Sequence, residues 1–380
     1  MDILKELVEL SNYYGGDPEF VLAGGGNTSA KAGNDLYVKG SGTALAAITA
    51  DGFVRMDRAK LKAVINGKYS DDASAREREV LAALNAARAA GEENKRPSVE
   101  TSLHDMLDFT YVLHVHPALV NGMTCSRTGK QTAAKLFPDA AWVPATKAGF
   151  ILAVDSKKVI DAYLKGRGKQ PAVLFIENHG VFFSANSRAE LDAAVSGVMD
   201  KLKEKAELKP NFSELGIAEP DGAVGNIRLT IQEAYQTYGG LDGAVTVFAL
   251  NREILNIVRD INAFKTVEYA FTPDHIVYCK HKAVYLGGAS PGVVNAAFSA
   301  YRAGHGFAPK IVFIKDFGMF ASGKNAKEAE AARDVFLDEI KIAVYAKNFG
   351  GGKFMSPGDA AFILNWEAEN YRQSVSLKAN

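Results

Sequence analysis

Residues 171–185, PAVLFIENHGVFFSA, align without a gap to residues 309–323, PKIVFIKDFGMFASG, with six of the fifteen positions identical. Each copy opens on a proline and a β-branched apolar run, turns at a glycine, resumes an apolar run, and leads into an alanine-rich acidic stretch with helical spacing. The shared unit is therefore strand, turn, strand edge and helix. Such a unit buries its faces only in a sheet covered by helices, so the chain is expected to be α/β. Duplicated domains and two unrelated units of one common type both fit the repeat. One difference between the copies matters chemically: His179 in the first stands against Phe317 in the second.

Further runs, TVFAL (246–250) and IVYC (276–279), join VLFI (173–176) and IVFI (311–314) as expected strands. Residues 72–95 place Val80, Leu81 and Leu84 on a helical period among strong helix formers, which predicts a surface helix. The stretch 201–226 begins as a charged helix, meets Pro210 and Pro220 and gathers glycines, so it is the expected linker. A length of 380 residues at 47% hydrophobic and 23% charged suits two folded domains. Residues 1–210 and 225–380 are the expected units.

Lys and Arg together number 44, as do Asp and Glu, so the basic excess typical of nucleic-acid binding is missing. The opening MDILKELVEL is charged every few residues, unlike a secretory leader, and no apolar run approaches the roughly 20 residues of a membrane helix. Two cysteines, Cys125 and Cys279, give no disulfide framework, and a reducing cytoplasm is the expected setting.

The strongest chemical signal is VLHVHP, residues 112–117. In a strand, residues two apart share a face, so His114 and His116 converge while Leu113 and Val115 point the other way. A shared metal ion explains the pair economically; two hydrogen-bonded structural histidines also fit. His179, in ENHG at the end of a buried strand, is well placed as a third ligand, and three histidines leave one open coordination position. Glu100, in RPSVETSLHDML, lies where Pro97 and Ser98 open a helix, and a carboxylate there also suits the helix dipole, with His104 as its neighbour. The glycine-rich AGGGNTSAK (23–31) and LYVKGSGT (36–43) match neither a Walker loop nor GxGxxG. Their backbone N–H groups, with Asn27, Thr28, Ser41, Thr43 and Lys31 or Lys39, suit a phosphate as well as two tight turns.

Taken in order, GN[TS]S, KGSGT, Ser-x-Glu, HxHP and NHG resemble the class II aldolase/adducin family over residues 1 to about 205. The fuller wording GGGNTSAK, LYVKGSGT, RPSVETSLHDML and VLHVHP is similar to the aldolase half of the rhamnulose-1-phosphate aldolase/lactaldehyde dehydrogenase fusions, and TPDHIVYCK (272–280), PKIVFIKDFGMFASGKNAKEA (309–329) and NWEAENY (365–371) are similar to the segment that follows the aldolase domain in them. The resemblance implies a three-layer α/β/α domain around a central mixed, largely antiparallel sheet. It implies zinc or another divalent metal held by His114, His116 and His179, with Glu100 as acid/base. It also implies a phosphate or substrate site at Asn27, Thr28, Lys39, Ser41, Gly42 and Ser98. The implied activity is cleavage of a phosphorylated ketose to dihydroxyacetone phosphate and an aldehyde, with a sugar-phosphate epimerase, dehydratase or decarboxylase as the alternative. A non-catalytic adducin-like scaffold is the further one. Family members commonly form homo-oligomers, and the second half is expected as a metal-free repeat, oligomer contact or pocket wall. Where the family reads Ser-Ser-Glu, this chain has Ser98-Val99-Glu100, one hydroxyl fewer.

Overall fold

The computed structural model describes residues 3–213, 215, 222–367, 371 and 375. The first unit runs α1 (Ile3–Gly15), β1 (Asn27–Ala32), β2 (Asp35–Lys39), β3 (Phe53–Asp57), α2 (Arg58–Ile65), α3 (Ala73–Ala86), α4 (Thr101–Met106), β4 (Tyr111–Val115), α5 (Ala118–Thr124), α6 (Gly129–Leu136), β5 (Ala141–Val143), α7 (Phe150–Arg167), β6 (Val173–Ile176), β7 (Gly180–Ala185) and α8 (Arg188–Lys205). The second runs α9 (Ala223–Gly239), β8 (Val245–Ala249), α10 (Arg252–Arg259), α11 (Ile261–Phe264), α12 (Pro273–Cys279), β9 (Val284–Leu286), α13 (Pro291–His305), β10 (Ile311–Ile314), β11 (Gly318–Gly323), α14 (Ala326–Ala346) and α15 (Pro357–Leu364).

Among the described residues the first sheet has the order β3-β2-β1-β4-β7-β6-β5, antiparallel at every pairing except β5 with β6. Side chains alternate across it as a strand requires. Leu113 and Val115 of β4 pack toward α1 and α8, against Leu7, Leu10, Leu191 and Val195. Val112 packs on the opposite face with Leu103 of α4 and Leu152 and Ile160 of α7. The result is the expected three-layer α/β/α arrangement.

The second sheet, β8-β11-β10-β9, repeats the order and the strand directions of β4-β7-β6-β5. The likeness extends to single residues. Ile176 pairs with Gly180 and Ile314 with Gly318, and the turns between them place Asn178 at φ 56° and Asp316 at φ 63°. Both are short polar residues that tolerate this left-handed backbone. His114 lies across the ladder from Phe182, whereas Phe248 lies across from Phe320. Phe248, Leu250 and Phe317 thus occupy the positions of His114, His116 and His179. The Phe248 and Phe317 rings fill the layer beneath α9 and α13.

Two expectations need correction. IVYC (276–279) belongs to helix α12: Pro273 opens it and Asp274 sits in its first turn. The run is buried throughout, so its apolar character carried no period by which to separate helix from strand. The helix expected over 72–95 ends at Ala86. The centre of the expected linker, residues 214 and 216–221, and much of NWEAENY lie outside the described residues.

The units meet where α14 packs on α5, and the chain then crosses back to the first unit. Thr128 donates from N and Oγ1 to the Phe349 carbonyl, and the Lys353 N–H donates to the Cys125 carbonyl at 2.7 Å. At the helix contact, a Cβ on Gly122 would fall 2.3 Å from the Cβ of Tyr345. Helix propensity alone favours Gly122→Ala by about 1 kcal/mol. We expect the opposite sign, a loss of roughly 1–3 kcal/mol in denaturant unfolding, because α14 must move away; an unchanged or raised midpoint would contradict this packing.

Candidate active site

Strand β4 is antiparallel to both neighbours, with Asn27 of β1 directly opposite His114 and Val181 of β7 opposite Val115. The turn that feeds β7 therefore lies at the same end of the sheet as His116, and it carries His179. Close approach there requires glycine: a Cβ on Gly180 would fall 2.5 Å from Cδ2 of His116 and 2.7 Å from the Val115 carbonyl oxygen. His114, fully buried, stacks on Phe182 with ring centroids 4.0 Å apart.

The three Nε2 atoms converge: His116 to His114 at 2.9 Å and His114 to His179 at 3.3 Å. Each of two rings has its other nitrogen committed. His114 Nδ1 donates to the Val181 carbonyl at 3.0 Å, and His116 Nδ1 donates to Asp274 Oδ2 at 2.6 Å. In their neutral forms these rings face each other with Nε2 lone pairs, an arrangement that a bound cation would relieve. Glu100 Oε1 completes the cluster, 3.3 Å from His114 Nε2 and 3.2 Å from His179 Nε2. Tetrahedral zinc with Zn–N near 2.0–2.1 Å sets its ligand nitrogens roughly 3.3 Å apart; the three histidine ligand atoms lie within 4.8 Å of one another, a donor set that could hold such an ion.

A polar chain stands behind the cluster. Asn27 Nδ2 donates to Glu100 Oε2 at 2.6 Å, while Asn27 Oδ1 accepts from His104 Nε2. His104 Nδ1 in turn accepts from the Ser29 hydroxyl at 2.8 Å. His104 thus orients Asn27 rather than bonding Glu100 directly, a link that requires knowing that β1 lies beside α4. Ser98 Oγ accepts from the Glu100 N–H at 3.2 Å, closing the turn ahead of α4.

Asn27, Lys39, Ser41, Gly42, Ser98, Glu100, His116 and His179 line one cleft. Thr28 does not join them. Its side chain alternates to the far face, where its hydroxyl meets Ser11 Oγ at 2.6 Å on α1. Lys31 also stays apart, donating from Nζ to the Leu107 and Phe109 carbonyls, with burial pushing its ammonium down to about 7. His275 is buried beside Asp338 and Glu339. The neighbouring Asp274, together with Pro273 and Trp366, lines the cleft from the second unit. They fall in TPDHIVYCK and NWEAENY, but nothing in those segments assigns them to the cleft; the tertiary contact brings them in.

Burial lowers the imidazolium of His114 to about 4 and that of His104 well below the ordinary value. Burial alone would raise the Glu100 carboxyl, but the facing imidazoles of His114 and His179 outweigh it and hold it below the usual carboxylate range. In the metal-free protein, His114 protonates near 4 when folded and near 6.5 when unfolded, so the unfolded state binds more protons between those values. Stability should therefore fall as pH drops through that window, by an amount on the order of 3 kcal/mol from His114. Denaturant midpoints of chelator-treated protein at pH 7 and pH 4.5 measure this; a flat profile would contradict the neutral buried histidines.

The sequence profile described as "Class II Aldolase and Adducin N-terminal domain" matches residues 5–196. A curated relative from Bacillus subtilis (strain 168), the "Uncharacterized oxidoreductase YuxG", is 23% identical over 420 aligned residues, a match that takes in 98% of this chain and 58% of the relative. The chain thus spans little more than half the length of that relative, and the match includes both units. Among solved structures, similarity is found to the N-terminal class II aldolase domain of a conserved protein from Thermoplasma acidophilum, 27% identical with a TM-score of 0.45, covering 54% of this chain and 93% of that one. An L-fuculose 1-phosphate aldolase is 19% identical with a TM-score of 0.35, covering 53% and 84%. YgbL from Klebsiella pneumoniae, described as a putative aldolase/epimerase/decarboxylase, is 13% identical with a TM-score of 0.36, covering 53% and 87%. The profile spans just over half of the residues and runs from α1 into α8, taking in the whole seven-stranded sheet, and the chain belongs to the class II aldolase and adducin family.

Proposed function

We propose that the chain is a divalent-metal aldolase, with zinc as its ion. It reversibly cleaves a phosphorylated ketose, such as a rhamnulose-1-phosphate-like sugar, into dihydroxyacetone phosphate and an aldehyde. The observation that carries this reading is the convergence of three histidine Nε2 atoms and the Glu100 carboxylate beside a cleft with a lysine and two serines in its wall. His114, His116 and His179 hold the ion. When bound, it polarises the ketose carbonyl and its neighbouring hydroxyl and stabilises the negative charge that develops on them.

Glu100 moves the proton. In the condensation direction its ionised carboxylate removes a proton from the carbon next to the ketose carbonyl; the freed electron pair forms the new bond to the aldehyde carbon, and the proton held by Glu100 is returned through solvent to the aldehyde oxygen, which regenerates the carboxylate. Cleavage runs in reverse, with Glu100 returning the proton to carbon. Asn27 holds Oε2 at 2.6 Å, and His104 holds Asn27, so the carboxylate keeps one orientation. At the phosphate end, the Lys39 cation, the Ser41 and Ser98 hydroxyls and the Gly42 N–H are the groups that line the cleft. Thr28, whose hydroxyl is on the other face of β1, has no part in this reading.

We assign residues 1–210 as the metal-binding catalytic domain and 225–380 as a metal-free copy of its β4-to-α8 half. Three apolar residues at the ligand positions, Phe248, Leu250 and Phe317, support that assignment. A sugar phosphate is the partner and a homo-oligomer the assembly; the two buried free cysteines are compatible with a reducing cytoplasm. Among the described residues, no helix is long and apolar enough to cross a membrane.

Replacing any one of the three histidines with alanine is expected to cut metal content, and full retention in all three variants would overturn the ligand set. Glu100→Gln should keep the metal and lose about 10²- to 10⁴-fold in turnover. Aldehyde release from a panel of ketose 1-phosphates, by metal-loaded and chelator-stripped protein, tests the reaction itself. Metal-dependent cleavage supports the lyase reading, while stoichiometric metal without cleavage of any member overturns it.

A further inference from the structure

We propose that Asp274, supplied by the second unit, is a positioning residue for the metal centre of the first. Its carboxylate fixes His116 in the tautomer that presents Nε2 to the ion. The inference rests on the metal reading above and assigns work to a half of the chain whose own ligand positions are apolar.

For His114 the sheet itself provides the outer partner, because Nδ1 donates to the Val181 carbonyl of β7. His116 stands one residue beyond the last residue of β4, and its outer partner comes from α12. Asp274 Oδ2 accepts from Nδ1 at 2.6 Å, the short distance of a charge-assisted bond, with both side chains about 15% exposed. A carboxylate in that place locks the ring orientation and raises the basicity of the opposite nitrogen. That nitrogen, His116 Nε2, is the one 2.9 Å from His114 Nε2.

The position of Asp274 is itself fixed by the second unit. Ile276 and Tyr278 of α12 are buried with Val335 and Phe336 of α14. The Tyr278 hydroxyl also accepts from the Gly24 N–H at 3.1 Å, tying α12 to the glycine-rich turn ahead of β1. The other histidine-bearing loop is held from the same side. Asn178 Nδ2, one residue before His179, donates to the Phe271 carbonyl at 3.0 Å and the Lys353 carbonyl at 2.7 Å. The second unit therefore grips both loops that carry ligands outside the sheet ladder.

The test is Co²⁺ affinity, measured by chelator competition on the full chain at fixed pH, together with the melting temperature of each metal-free protein. Asp274→Ala should bind Co²⁺ about 10- to 100-fold more weakly with little change in metal-free melting. Asp274→Asn keeps an acceptor oxygen in place without the charge, so its affinity should fall between alanine and the native protein. Native protein that binds Co²⁺ with both variants equal to it would overturn the role of Asp274 and leave the metal reading intact. Affinity losses that follow a matching fall in metal-free melting for both variants would reduce Asp274 to a fold residue. Native protein that binds no Co²⁺ would overturn the metal reading and this inference together.

Discussion

The placement of β4 between β1 and β7, antiparallel to both, is the constraint from which the site follows. Because the ladders run antiparallel, the C-terminal end of β4 meets the start of β1 and the start of β7. His114 and His116 leave from the first, Asn27 from the second and His179 from just before the third. Four polar groups are thereby carried to one sheet end by backbone hydrogen bonding. The apolar faces on either side keep them there, since a slip of one residue in β4 would turn His114 into the α1/α8 layer and Leu113 toward the cleft.

A cluster of this kind is costly in a protein interior unless its groups answer one another. Outer partners fix the protons of two imidazoles, Asn27 and His104 orient the carboxylate, and the inward-facing lone pairs and negative oxygen remain for a cation. The second unit presents a contrast built on the same geometry. Its strands run in the same order, its hairpin has a left-handed residue at the same position, and a Cβ on Gly318 would crowd Phe248 as one on Gly180 crowds His116. There the space is filled with aromatic rings, which need no partner beyond packing. One arrangement of strands thus supports a polar centre in the first unit and an apolar core in the second.

The two halves pack on one another through a shared core. The second unit shares buried residues with the first, as Ala118 and Cys125 sit in the same core as Phe271, Tyr278 and Phe336. Through that core the second unit holds α12 and the 347–355 segment against the two loops that bear His116 and His179. Packing in one half and ligand geometry in the other are therefore coupled.

Local pattern alone specified the β6–β7 and β10–β11 hairpins, the shared face of His114 and His116, the turns at ENHG and KGSGT, and the α/β class. These depend on period, turn chemistry and residue type, which neighbours in sequence carry. Tertiary structure decided the rest. Thr28 pointed away because β1 alternates and α1 offers Ser11 as a partner. IVYC lies in a helix opened by Pro273, and its burial on every side left no period in the sequence by which to tell helix from strand. His275 turned into the core while Asp274 reached His116, and that choice depends on where α12 docks, a contact between residues 158 positions apart. The wording TPDHIVYCK was visible in the chain, but no local pattern says that its aspartate reaches His116, so the ligands were legible and the role of the carboxylate that orients one of them was not.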